Sequence, residues 1–91
     1  MDWQEIRKHY PQQWLLLEAL QAHTEANKRI LERLAVVNAY SGSAAALKEY
    51  SQMHRSTPER ELYVFHTGRE TLDVTERHGL GMRLEISTTN G

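Results

Sequence analysis

Apolar positions recur along this chain with different periods, and each period predicts a different element. The run Glu61-Leu62-Tyr63-Val64-Phe65-His66-Thr67 is dense in β-branched and aromatic residues and lies between Pro58 and Gly68, which predicts a strand over 61–67. Ala46, Leu47, Tyr50, Met53 and His54 recur at helical spacing, with Lys48, Glu49 and Gln52 turned to water. They predict a helix over 44–55 with Ser43 as its N-cap and Ser56-Thr57-Pro58 as its stop. At the start of the chain Asp2 can cap a short helix through Tyr10, with Trp3, Ile6 and Tyr10 on one side. Pro11 ends it, because the residue before a proline avoids the helical region.

Residues 12–36 carry a conflict. Leu, Ala, Glu, Gln, Lys and Arg dominate, and propensity alone favours one long helix or a helical hairpin. The strand at 61–67 needs partners, however, since a lone strand is not stable. The polar break Thr24-Glu25-Ala26-Asn27-Lys28 offers a turn, with Asn27 able to take the left-handed conformation. Trp14-Leu15-Leu16-Leu17 and Val36-Val37-Asn38-Ala39-Tyr40 look like strand at either end. Two antiparallel strands, about 13–23 and 28–40, are therefore expected, with the helical hairpin as the alternative.

These elements combine into an α+β domain with a ββαβ core. The helix between the second and third strands allows a right-handed crossover, giving sheet order 2-1-3 with the first strand central. Leu72-Asp73-Val74 and Met82-Arg83-Leu84-Glu85-Ile86 are candidates for short extra strands, separated by Gly79 and Gly81. Residues 1–86 are expected to form one domain and 87–91 a frayed tail.

Both faces of the expected sheet are rich in apolar residues. Trp14, Leu16 and Leu20 alternate with Leu15, Leu17 and Ala19, and Leu62 and Val64 with Tyr63 and Phe65. One helix covers one face, so the other needs residues 1–10 and 70–86, or a second chain. A two-fold homodimer through that face or through the sheet edge is the expectation.

Composition narrows the partners. Eleven Lys/Arg against twelve Asp/Glu are interspersed along 91 residues, which leaves little support for nucleic-acid or membrane-surface attraction. There is no cysteine, hence no disulfide or thiol chemistry, and a reducing cytoplasm fits. Met1-Asp2-Trp3-Gln4-Glu5 is acidic and polar, unlike a signal peptide, and no apolar run nears the ~20 residues of a membrane span.

The candidate chemistry clusters after the third strand. His66, Thr67, Arg69 and Glu70 join an imidazole, a guanidinium and a carboxylate near a strand end, with Gly68 letting a ligand approach, a set suited to binding an anion or to acid–base work. The alternative is a tight turn in which Gly68 supplies a positive dihedral and Arg69 and Glu70 are solvated. If the helix packs over the third strand, His54, His66 and Glu70 offer a zinc-like set, although the five histidines lack ligand spacing. His54 also suits a helix C-terminus as a cation. Trp3, Tyr10, Trp14 and Tyr40 are candidates for a base-stacking platform, but flanking cations are missing and packing is the better use. Lys28, Arg29 and Arg33 make a short basic spot at the hairpin tip, of a kind usually solvated. No phosphate loop, paired-carboxylate signature or nucleophile–base–orienter set is legible, so neither a cofactor nor a metal is assigned.

Tyr10-Pro11-Gln12-Gln13-Trp14, Lys28-Arg29-Ile30-Leu31, Ala45-Ala46-Leu47 and Pro58-Glu59-Arg60-Glu61-Leu62-Tyr63-Val64, followed by His66-Thr67-Gly68-Arg69-Glu70, look like a group of short uncharacterised bacterial proteins. The resemblance spans most of 10–83 and implies the ββαβ pattern; it carries no activity. A homodimeric protein-interaction or regulatory module is the expected function, and a small enzyme or ligand-binding domain around His54, His66, Thr67, Arg69 and Glu70 the alternative.

Overall fold

Ala26 and Asn27 have φ of 47° and 70°, positive at both centres of a two-residue turn, and this resolves the conflict at 12–36. The turn joins β1 (Trp14–Glu25) to β2 (Lys28–Tyr40) in a long antiparallel hairpin. The helix-forming Leu, Ala and Glu residues are strand here because alternate side chains on β1 feed two separate cores, and burial outweighs intrinsic propensity. The computed structural model describes residues 1–75 and the backbone of 86–87.

The strand β3 (Leu62–His66) pairs antiparallel with β1, setting Trp14 opposite His66 and Glu18 opposite Leu62. The short β4 (Ile86–Ser87) adds in parallel to β3, and the sheet order is β2-β1-β3-β4. The first three strands thus stand in the order 2-1-3, and the class is α+β. Ile86 realises the end of the expected C-terminal strand, and Ser87 pairs beside Phe65. The remainder of that expected strand, Met82–Glu85, the breaks at Gly79 and Gly81 and the tail from 88 lie outside the described residues. Leu72–Val74 forms no strand; it runs to the edge of β2, where Arg29 N–H donates to the Val74 carbonyl at 2.9 Å and Lys28 bridges Thr75.

Two helices complete the layers. α1 (Trp3–His9) starts in a capping box: Asp2 accepts from Glu5 N–H, and the Glu5 side chain accepts from Asp2 N–H. α2 (Ser43–Ser56) begins one residue earlier than the sequence suggests, with Gly42 rather than Ser43 as N-cap and no side-chain cap bond. Ser43 is thereby the first helical residue.

α2 lays Ala46 and Tyr50 on Leu16, Leu62 and Val64, with Trp14, Val37, Tyr40, Leu47 and Met53 around them. The opposite face of the sheet, Leu15, Leu17, Leu34, Tyr63 and Phe65, is covered by Trp3 and Ile6 of α1 and by Val74 and Leu72. The second face is therefore filled from within the chain by the N-terminal helix and the segment after β3. A partner is not needed to finish the core.

The hairpin departs from strict alternation. Its register shifts between Leu16 and Leu17, between Ala19 and Gln21, and between Gln21 and Ala22, which leaves Val37, Leu20 and Glu32 as extra residues. The bulge at Glu32 lets Leu31 and Leu34, three apart, both face the α1 core.

Candidate functional site

The turn after β3 is tied down by Thr67, which is 3% exposed. Its hydroxyl donates to the Tyr10 carbonyl at 2.6 Å and accepts from Gln13 N–H at 3.0 Å. Its N–H reaches the Gln13 carbonyl at 2.9 Å, and its own carbonyl accepts from Arg7 Nε at 2.9 Å. Thr67 thus fastens the end of β3 to the α1–β1 connection, where Gln12 takes a positive φ of 54°. Every polar group of Thr67 is committed to the fold.

His66 sits edge-on to Trp14, with ring centroids 5.1 Å apart, and its Nδ1 accepts from Gly68 N–H at 3.0 Å. That bond leaves the neutral ring's proton on Nε2. The tight turn expected after β3 is present, but Gly68 does not take the left-handed φ expected of it there. Glycine fits here for another reason: a Cβ at this position would meet His66 Nδ1 at 2.9 Å. Arg69 N–H donates to the His66 carbonyl at 3.2 Å, and the Arg69 carbonyl accepts from Trp3 Nε1 at 3.0 Å. The Arg69 Nη1 is buried and makes no hydrogen bond among the described residues. Glu70 is exposed, and its carbonyl accepts from Gln4 Nε2 at 2.7 Å.

His54 lies elsewhere. On the last turns of α2 it stacks on Tyr50, centroids 5.7 Å apart and planes within 5°, and lines an open cleft of about 250 Å³ with Pro58, Glu59, Arg60 and Leu62. Leu62 begins β3 and His66 ends it, a span of roughly 13 Å at the rise of a strand. The imidazoles of the zinc-like set therefore stand at opposite ends of β3, and Glu70 is over by α1. Among the described residues no group of three His, Asp or Glu is placed to hold a metal. The aromatic platform is divided as well: Trp3 and Tyr10 pack on the α1 face, Trp14 and Tyr40 on the α2 face.

The sequence reading missed a polar network at the far end of β3. Arg29 forks onto Glu61, with Nε to Oε2 and Nη2 to Oε1 both at 2.9 Å, and Tyr63 donates its hydroxyl to the same carboxylate. Arg29 Nη1 also donates to Thr24 Oγ1 at 3.0 Å. On the other face Arg60 pairs with Glu18 at 2.6 Å, and at the tip Lys28 pairs with Asp73. Lys28 beside Asp73 holds that carboxyl below its ordinary range. The basic spot at the tip is thus largely paired rather than merely solvated. The available signal was phase: Arg29 stands two residues before Leu31 and so shares its core-directed side.

Beyond the reach of α2, the outer half of the hairpin exposes apolar side chains. Leu20 is 54% and Ile30 39% exposed. Both point away from the α1 core, since Ala19 and Leu31 beside them pack into it. His23, opposite Ile30, lies between two carboxylates, with Nε2 2.8 Å from Glu25 Oε2 and Nδ1 3.3 Å from Glu32 Oε2. The Glu25 hydrogen bond raises the His23 pKa; loss of hydration opposes it, and Glu32 adds to the rise.

The outer edge of β2 is guarded by contrast. Met1 exchanges backbone hydrogen bonds with Leu34 in both directions, Val74 takes Arg29 N–H, and the Asn38 side chain accepts Ala39 N–H at 2.8 Å. Bulges at Glu32 and Val37 break its flatness.

No protein-family model, curated protein or solved structure matches the chain. Among the described residues no helix is long and apolar enough to cross a membrane.

Proposed function

We propose that this protein is a small interaction module that pairs with a second copy of itself through the outer, α2-side face of its β1–β2 hairpin. The supporting observation is where apolar surface remains. Both faces of the sheet around β3 are filled from within the chain, whereas Leu20 and Ile30 share an uncovered face. The occupant is argued from charge. The face carries both signs, Glu25 and Glu32 with Arg33, so in a two-fold pair the Arg33 of each copy has a carboxylate of the other to meet, and the excess carboxylate is left for His23 to balance. Edge-to-edge pairing through β2 is the weaker route, because its backbone groups are engaged at Arg29, Leu34 and Ala39.

The alternative, a small enzyme or ligand-binding domain, loses the shared site it required. His66 and Thr67 are engaged in local structure, and His54 belongs to a separate cleft. The lack of cysteine suits a cytoplasmic setting.

Sedimentation velocity at tens of micromolar tests the reading, with wild type beside Leu20→Asp and Ile30→Asp. A wild-type dimer that either variant dissociates, with the circular dichroism of each variant unchanged, supports it. A wild-type monomer, or a dimer indifferent to both substitutions, refutes it.

A further inference from the structure

The His23 ring has a carboxylate oxygen at each nitrogen, Glu25 Oε2 at Nε2 and Glu32 Oε2 at Nδ1. A neutral imidazole carries one N–H and serves only one of them; the other nitrogen then directs a lone pair at an anion. Both contacts are attractive only in the imidazolium. The two carboxylates come from different strands, so the protonated ring ties β1 to β2 in the middle of the face that carries Leu20 and Ile30.

We propose that protonation of His23 controls self-association, the hairpin faces pairing tightly when the ring is charged and loosely when it is neutral. The inference rests on the homodimer reading above and adds its regulation. On β1 the group facing His23 is Glu25; on β2 they are Glu32 and, further along, Arg33. Arg29 and Lys28 are held by Glu61 and Asp73, and Glu18 and Arg60 neutralise one another. Taken over Glu25, Glu32 and Arg33, the face holds a net negative charge with His23 neutral and none with it protonated. Two like-charged faces repel as they close, and ring protonation removes that repulsion while holding both carboxylates in place.

Sedimentation equilibrium of the full chain at about pH 5.5 and about pH 8 spans the imidazole range and stays above ordinary carboxylate titration. The wild-type dimer is expected to be roughly tenfold tighter at the acid end. His23→Gln, which keeps a donor but cannot titrate, is expected to show one dissociation constant at both. A dimer of equal affinity at both pH values, or a His23→Gln protein with the wild-type pH slope, overturns the switch and leaves the homodimer standing. A monomer at both overturns the homodimer itself, and the switch with it.

Discussion

Arg29 and Glu61 face one another from the outer end of the hairpin and the start of β3, joined by two hydrogen bonds of 2.9 Å and only 17% and 13% exposed. The fork adds a directional tie between the hairpin and the residue before β3, beside the buried Tyr63. Tyr63 and Thr24 add bonds to the same pair, so its polar atoms are well satisfied.

Breaking one side of this pair should cost more than any surface ion pair. Glu61→Gln keeps the shape but leaves the Arg29 guanidinium without a counter-charge in a mostly buried place. A loss of about 2 kcal/mol in unfolding free energy is expected, below the range for fully buried pairs because some water reaches the site. Urea denaturation measures it. Lys28→Ala, which removes the exposed Asp73 pair, should leave the urea midpoint unchanged. Equal effects from the two substitutions would show that the fork is not special.

Thr67, a candidate ligand residue by sequence, is bonded through every polar group to its own fold and acts as a clamp. Thr67→Val retains the volume but strands the Tyr10 carbonyl and Gln13 N–H, each bonded to the hydroxyl now. The expected loss is about 2 kcal/mol, with Thr67→Ser close to wild type. A stable Thr67→Val protein would return the hydroxyl to the list of candidate ligand groups.

Much of the fold was legible because its signals were local. The strand at 61–67, the helix face from Ala46 to His54 and the break at Asn27 each follow from residue type and spacing, and together they allow the 2-1-3 order that the sheet adopts. What was not legible depends on register. The bulge at Glu32 puts Leu31 and Leu34 on one side of β2, where strict alternation would set them on opposite sides. The same limit hid the Arg29–Glu61 fork, whose members lie 32 positions apart. The separation of His54 from the His66–Glu70 turn was hidden for a simpler reason. Closeness in sequence, from His66 to Glu70, was read as convergence in space, whereas successive residues of a strand and its turn point different ways.

Gly68 and His66 should behave as one unit. A Cβ at position 68 meets the imidazole, and the ring can rotate away only by giving up its bond to the residue-68 N–H and its edge contact with Trp14. Gly68→Ala is expected to cost about 1 kcal/mol. In a His66→Ala background the clash is gone, so the same substitution should cost close to nothing. A double-mutant cycle by thermal or urea unfolding gives the coupling directly. Additive effects would mean that Gly68 is required for some reason other than the ring.

The hairpin turn holds a weakness that a single substitution should repair. Ala26 and Asn27 both sit at positive φ, and the two differ in what they gain there. Asparagine tolerates the left-handed region because its short amide can bond to nearby backbone; alanine has a Cβ to crowd the chain and no polar group to compensate. Ala26→Asn keeps Asn27 and its contacts and replaces the strained residue by one suited to the conformation. It is expected to raise stability by about 0.5–1 kcal/mol, a few degrees in Tm for a domain of this size. Ala26→Val should do the reverse by at least as much, since a β-branched residue is poorest at positive φ. Paired thermal melts decide between this account and its absence: the strained-turn reading requires Asn above Ala above Val, and any other order removes it.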